Sequence, residues 1–385
     1  VSNTIARIFG RRRPARGARG AHGAHGAHGA HGARRWPARG ARGWPARRWL
    51  PSASGAFTLS GLVPAALISL SATGMVGPAI NTTGSATAWQ APWQDVVGPS
   101  YPGAALIGDH LTGHLQAAPV APAPNDITRP QYWAQGCLPA QTDIKPKECV
   151  YGYTRHPALT VALVGDSMAG DFFTPLKQIA TERHWKLVVD VHSTCPWTST
   201  MLLQLKAGGA YTACHAWGVT VLHDLLTTIK PNVVITSDYP YFATTADPTI
   251  GKRAETAIGK GMIPYWTQLE DHGISVVALR ETPFIGITVP SCLARNHGVQ
   301  AKCAVPAEKA ILDNPPTMVA ARGMRGRVAD INLNPLICPG TTCQPVIGNV
   351  LVYQDSHHLT DLYSSTLTPF LEQDLLAADA ALRAA

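Results

Sequence analysis

Residues 158–173 read ALTVALVGDSMAGDFF. The first seven are apolar or β-branched with no polar alternation, as in a strand covered on both faces. Gly165, Asp166 and Ser167 then break the run, and DFFTPLKQIATERHW (171–185) follows with helical spacing. A strand, a tight turn and a helix in this order make the opening half of a βαβ unit.

The unit repeats downstream. KLVVDVH (186–192), NVVITSDY (232–239) and ISVVALRE (274–281) read as strands, and CHAWGVTVLHDLLTTIK (214–230) and GMIPYWTQLEDHG (261–273) as helices. NVLVYQ (349–354) is expected to be the last strand, before a long closing helix over 359–385. The alternation predicts a three-layer α/β/α domain over 131–385 with a parallel sheet. Ligands of such sheets sit at the C-terminal ends of the strands.

Ser167 stands at that edge, at a helix N-terminus where its own N–H can stabilise developing negative charge. Ser167 and Asp166 are equally suited to capping the helix, so the triplet alone does not decide for chemistry. A phosphate cradle is excluded: there is no GxxxxGK[ST], and GDSMAG puts an acid where bare N–H groups are needed. A serine nucleophile needs an imidazole, itself oriented by a third group. VLVYQDSHHLTDLY (350–363) supplies one, with Asp355 and His358 three residues apart at the end of the expected last strand. That spacing lets the carboxylate meet one ring nitrogen while the other faces the crevice; His357 is expected to point elsewhere. Asp355, His357 and His358 as a metal site is disfavoured, because no further ligand set accompanies them.

Composition constrains the setting. The chain has 32 Lys+Arg and 24 Asp+Glu, but twelve of the basic residues and no acid fall in the first 49 positions. The remaining balance is 20 against 24, so basicity belongs to a tail and nucleic acid is not an expected partner. Eight cysteines form four close sequential pairs, Cys137 with Cys149, Cys195 with Cys214, Cys292 with Cys303 and Cys338 with Cys343. None has CxxC spacing, so local disulfides in an exported protein are the economical reading.

Residues 1–54 are an Arg/Gly/Ala/His-rich tail expected to be disordered; its Gly-Ala-His repeats read as compositional bias rather than a metal site. The segment 55–80, containing AFTLSGLVPAALISLSATGMVGPAI, carries no charged side chain and is about the length of a membrane span. Its basic flank places the N-terminus in the cytoplasm; a signal peptide cleaved near ATA (86–88) is the alternative. Residues 81–130 read as a Pro/Ala-rich linker. Trp185, Trp217 and Trp266 are expected in the core. Arg322, Arg325 and Arg327 are expected on a solvated face, and Asp238 and Tyr239 near the site.

LVGDSMAGDFF together with DSHHLT resembles the SGNH (GDSL-type) esterase superfamily, with its Gly-Asp-Ser and Asp-x-x-His blocks. STCP (193–196), the paired cysteines and NVLVYQDSHHLTDLYSSTLTPFL (349–371) resemble the extracytoplasmic SGNH domain of membrane acyltransferase-3 proteins. The resemblance covers about 131–380. It implies a flavodoxin-like fold, Ser167 as nucleophile, His358 as general base and acid, Asp355 as its partner, and no metal or cofactor. It implies acylated surface polysaccharide or peptidoglycan as substrate, with a separate membrane acyltransferase protein as partner. The superfamily's oxyanion asparagine is missing from VVITSDYPY (233–241); Ser237 is the candidate replacement, beside the Ser167 N–H. That departure keeps a second reading open, a non-catalytic glycan-binding or scaffold module.

Overall fold

The computed structural model describes residues 98–108, 115–204, 209–240, 244, 252–324 and 328–384. All belong to one compact unit, Thr83–Ala385. The expected tail and apolar segment lie outside the described residues, as do Arg325 and Arg327. Among the described residues no helix is long and apolar enough to cross a membrane.

In chain order the unit contains β1 (Cys149–Gly152), β2 (Thr160–Gly165), α1 (Ser167–Gly170), α2 (Phe173–Glu182), β3 (Lys186–Val191), α3 (Thr212–Asp224) and β4 (Val233–Ser237). It continues with α4 (Lys252–Asp271), β5 (Ser275–Leu279), α5 (Pro316–Gly323), β6 (Ala329–Ile331), α6 (Asp361–Ser365) and α7 (Thr368–Ala378). The sheet order is β1-β3-β2-β4-β5-β6. Every pairing is parallel except β1 with β3. Without β1 this is the 2-1-3-4-5 order of flavodoxin-like folds, whose direction reverses between β2 and β4. The crevice above that reversal is where Ser167 leaves the sheet.

Both faces are covered, which explains the uninterrupted apolar strands. Val161, Leu163, Val189 and Ile235 face a core shared with Phe173, Leu176 and Ile179 of α2 and with Leu371 and Leu375 of α7. Ala162, Val164, Val188 and Val234 face Trp217 and Val221 of α3 and Met262 and Trp266 of α4. Trp185, Trp217 and Trp266 are fully buried, so all three are core anchors.

Two expectations change. Val350–Leu351 is not in the parallel sheet; it pairs antiparallel with Val346–Ile347 across Gly348 and Asn349, both at positive φ. Two left-handed residues between two strands make a tight hairpin, and a buried hairpin is as apolar as a buried parallel strand. The sheet edge is instead β6, fastened by the two-pronged Arg280–Asp330 ion pair, with Arg280 Nη2 2.6 Å from Asp330 Oδ2. The second concerns the expected linker. Its described part lies on the body: Ala104 is in the core, the Leu351 N–H donates to the Ala121 carbonyl, and Asn349 Nδ2 donates to the carbonyls of Ser100 and Gln116.

Candidate active site

The turn after β2 is shaped by two residues. Gly165 has φ 144°, and a Cβ there would lie 2.3 Å from the Ser237 carbonyl oxygen on the paired strand. Only glycine fits. Asp166 is the cap of α1: its Oδ1 accepts the Met168 N–H at 2.9 Å and its Oδ2 the Tyr239 N–H at 2.8 Å. The capping alternative is therefore met by Asp166. Ser167, the first residue of α1, is half-buried and its hydroxyl is not used as the cap.

Asp355 and His358 form a closed unit. Asp355 Oδ1 accepts the N–H groups of His357 and His358, each at 2.9 Å, and Oδ2 lies 2.7 Å from His358 Nδ1. The turn is tied at its neck, where the Gln354 N–H donates to the His358 carbonyl. His358 Nε2 is buried and has no hydrogen-bond partner among the described residues, so its bond to Ser167 is not formed. The histidine turn nevertheless touches the serine helix, because the Leu359 N–H donates to Asp171 Oδ1 at 3.2 Å.

Burial alone would raise Asp355 and lower His358, but their mutual interaction outweighs it. Asp355 is held well below the usual carboxylate range by the His358 hydrogen bond and charge and by two backbone N–H groups. His358 is raised to about 9 by the Asp355 hydrogen bond and by the negative charge that Asp171, Asp355 and Asp166 carry when ionised. Asp171 is itself pushed up to about 8 by burial, and Asp166 is raised for the same reason. Four ionisable groups thus act on one another here, two of them buried and two half-buried, an arrangement common at sites that move protons.

His357 does not point away, as the sequence reading expected. Its ring lies 4.0 Å from that of His358, stacks on Phe284 at 5.3 Å and sits 5.4 Å from Tyr239. Burial and the neighbouring His358 charge lower it to about 4, so it is neutral at ordinary pH. Its Nδ1 is 2.9 Å from Ser356 Oγ. It walls a narrow cleft lined also by Met168, Tyr239, Glu281, Thr282 and Phe284. Glu281, Thr282 and Phe284 were not singled out in the sequence; their signal is position, since they follow β5 at the same sheet edge as Ser167.

Asp355, His357 and His358 do offer metal-ligand atoms within 4.8 Å of one another. However, Asp355 Oδ1 is taken by two N–H groups and Oδ2 by the His358 ring. A cation there would displace the bonds that shape the turn. Ser237 pairs with Gly165 and is completely enclosed, with no hydrogen-bond partner for its Oγ among the described residues. Asp238 lies beneath the site, its Oδ1 accepting the Trp197 N–H at 2.7 Å, while Tyr239 lines the cleft. Arg322 is exposed and donates to Asn314 Oδ1.

All eight cysteines are bridged, Cys137–Cys149, Cys195–Cys214, Cys292–Cys303 and Cys338–Cys343. The second pins the STCP segment after β3 to the start of α3.

No curated protein sequence matches the chain. Among solved structures, the periplasmic domain of a lipopolysaccharide acetyltransferase from Salmonella ser. Paratyphi A is similar at 11% identity and a TM-score of 0.43, covering 56% of this chain and 83% of that one. A putative acylhydrolase from Bacteroides fragilis is 11% identical at a TM-score of 0.35, over 64% of this chain and 95% of that one. A GDSL-like lipase from Bacteroides thetaiotaomicron is 11% identical at 0.33, over 59% and 90%. The family profile described as SGNH domain (fused to AT3 domains) matches residues 136–373, more than half of the sequence, and the chain belongs to that family.

Proposed function

We propose that this protein is a serine esterase or O-acyltransferase acting on acyl esters, acetyl foremost, of cell-envelope glycans such as surface polysaccharide or peptidoglycan. The observation that carries the reading is the Asp355–His358 pair, whose outer nitrogen is buried and unengaged on a turn joined to the Ser167 helix. Ser167 Oγ attacks the ester carbonyl as His358 Nε2 takes its proton. The tetrahedral intermediate collapses, the sugar oxygen leaves with that proton, and an acyl-serine remains. Water or a second sugar hydroxyl, deprotonated by His358, then takes the acyl group. Asp355 fixes the ring and stabilises its imidazolium. The Ser167 N–H is the better-placed oxyanion donor, because Ser237 is wholly enclosed.

Four disulfides fit an extracytoplasmic body, membrane-anchored or secreted. A separate membrane acyltransferase is the fitting source of acyl groups for the transfer reaction. Turnover of a chromogenic acetyl ester, with the acyl-enzyme trapped and weighed by mass spectrometry, tests the assignment. Full activity in Ser167→Ala would end it. The second reading, a glycan-binding or scaffold module, is favoured by the unformed Ser167–His358 bond and the absent oxyanion asparagine. Glycan binding indifferent to Ser167→Ala, without ester turnover, would establish it.

A further inference from the structure

Asp171 lies four residues beyond Ser167, at the end of the same helical turn, and its N–H donates to the Met168 carbonyl. Its carboxyl is buried, and Asp171 is not among the residues that line the cleft beside His357. Oδ1 accepts the Leu359 N–H at 3.2 Å. Oδ2 lies 2.9 Å from Thr282 Oγ1, and the same hydroxyl lies 2.7 Å from the His357 carbonyl oxygen. His357 and Leu359 are the two neighbours of His358. One side chain therefore reaches the histidine backbone on both flanks, directly on one side and through a single hydroxyl on the other.

The proton count defines the state of this connection. A threonine hydroxyl carries one proton. If Thr282 gives it to the His357 carbonyl, the shorter contact, then its 2.9 Å approach to Asp171 is a hydrogen bond only when the carboxyl is protonated and donates. Burial, which pushes Asp171 up to about 8, agrees with that state. The groups facing it are His358 and Asp355 on the histidine turn, the hydroxyls of Tyr132 and Tyr353 on the elements packed behind, and Thr282. Ionised Asp171 would draw the Thr282 proton to itself and leave the His357 carbonyl without this donor.

We propose that Asp171 is a positioning residue: as a neutral carboxylic acid it clamps the backbone on both sides of His358 and so fixes where the imidazole stands relative to the Ser167 turn. The proposal rests on the reading of Ser167 and His358 as nucleophile and base. Because Asp171 belongs to the serine's own helical turn, the clamp connects the two groups without passing through substrate.

Four variants test it, Asp171→Asn, Asp171→Ala, Thr282→Val and Thr282→Ser. Each is assayed for kcat and KM on a chromogenic acetyl ester and for the His358 ring signal in the NMR spectrum, assigned by its loss in His358→Gln. Asparagine reproduces both contacts of a protonated carboxyl, so Asp171→Asn should keep kcat within about 3-fold. Asp171→Ala should lower kcat by about 30-fold or more with KM little changed, since a misplacement of about 1 Å costs about a hundredfold. Thr282→Val should lose about tenfold and Thr282→Ser little. The His358 signal should shift in Asp171→Ala and Thr282→Val and stay put in Asp171→Asn. Wild-type kcat and an unmoved signal in Asp171→Ala would overturn the clamp, as would Asp171→Asn being as impaired as Asp171→Ala. Should Asp171→Ala not fold, an unchanged kcat and signal in Thr282→Val would overturn it alone. Should wild-type turnover not depend on Ser167, the catalytic reading fails separately and the NMR arm decides the clamp.

Discussion

One carboxylate, that of Asp355, holds both the backbone and the ring of His358: Oδ1 takes the main-chain N–H and Oδ2, 2.7 Å from Nδ1, takes the side chain. Rotating the imidazole would cost a charge-assisted hydrogen bond. The outer nitrogen is therefore fixed in direction before substrate arrives. Asp355→Asn should lower kcat on an acetyl ester by about a thousandfold, with protein folding intact by circular dichroism. A loss under tenfold would show that Asp355 does not orient the base.

The two adjacent histidines should behave differently. His358→Ala should cost about 10³-fold in kcat/KM, the scale of a lost general base. His357→Ala removes a neutral, stacked wall and should cost about tenfold or less, mainly in KM. Equal losses in the two variants would refute the division of roles.

The acid limb of kcat/KM against pH reports the base in the free enzyme. His358 must be neutral to accept a proton, and its value is raised, so activity should rise with pH through a midpoint above 6.5 and no higher than about 9. A midpoint below 6 would mean that the carboxylates around His358 do not act on it.

Stability should run the other way. Asp166, Asp171, Asp190, Asp238 and Glu281 are buried and all raised by burial, Asp190 to about 7 and Asp171 to about 8. In this range the folded state holds more protons than the unfolded chain. Their stabilising contribution is thus complete below about pH 4 and is lost as pH rises through about 7–8. The raised His358 adds to the same trend, whereas the depressed Asp355, Asp143, His192 and His357 oppose it at lower pH. Tm should be lower at pH 8.5 than at pH 5.5. Neither Asp190 oxygen has a hydrogen-bond partner among the described residues, so Asp190→Asn should flatten the slope. An unchanged slope in that variant would show that Asp190 does not contribute.

The strands of the parallel sheet were legible where they are covered on both faces, as in ALTVALVG and NVVITS, because double burial leaves an uninterrupted apolar run. NVLVYQ was misplaced for the same reason: a buried hairpin arm is equally apolar, and only Gly348–Asn349 betrays the reversal. β6 was not legible, being three residues long and carrying Asp330 for its pairing with Arg280. In the site, the Asp355–His358 pair was legible because its two members stand three residues apart. Asp171 and Thr282 were not, since their partners lie 188 and 75 residues away along the chain. Such contacts exist only once the sheet has brought the loops to one edge.

The four disulfides join each cysteine to the next one in the chain, at separations of 12, 19, 11 and 5 residues. A chain crossing a membrane from its N-terminal side would present these cysteines in their final pairs, one pair after another. An oxidant that joins thiols in order of emergence would produce the native set by itself, without any reshuffling of bridges.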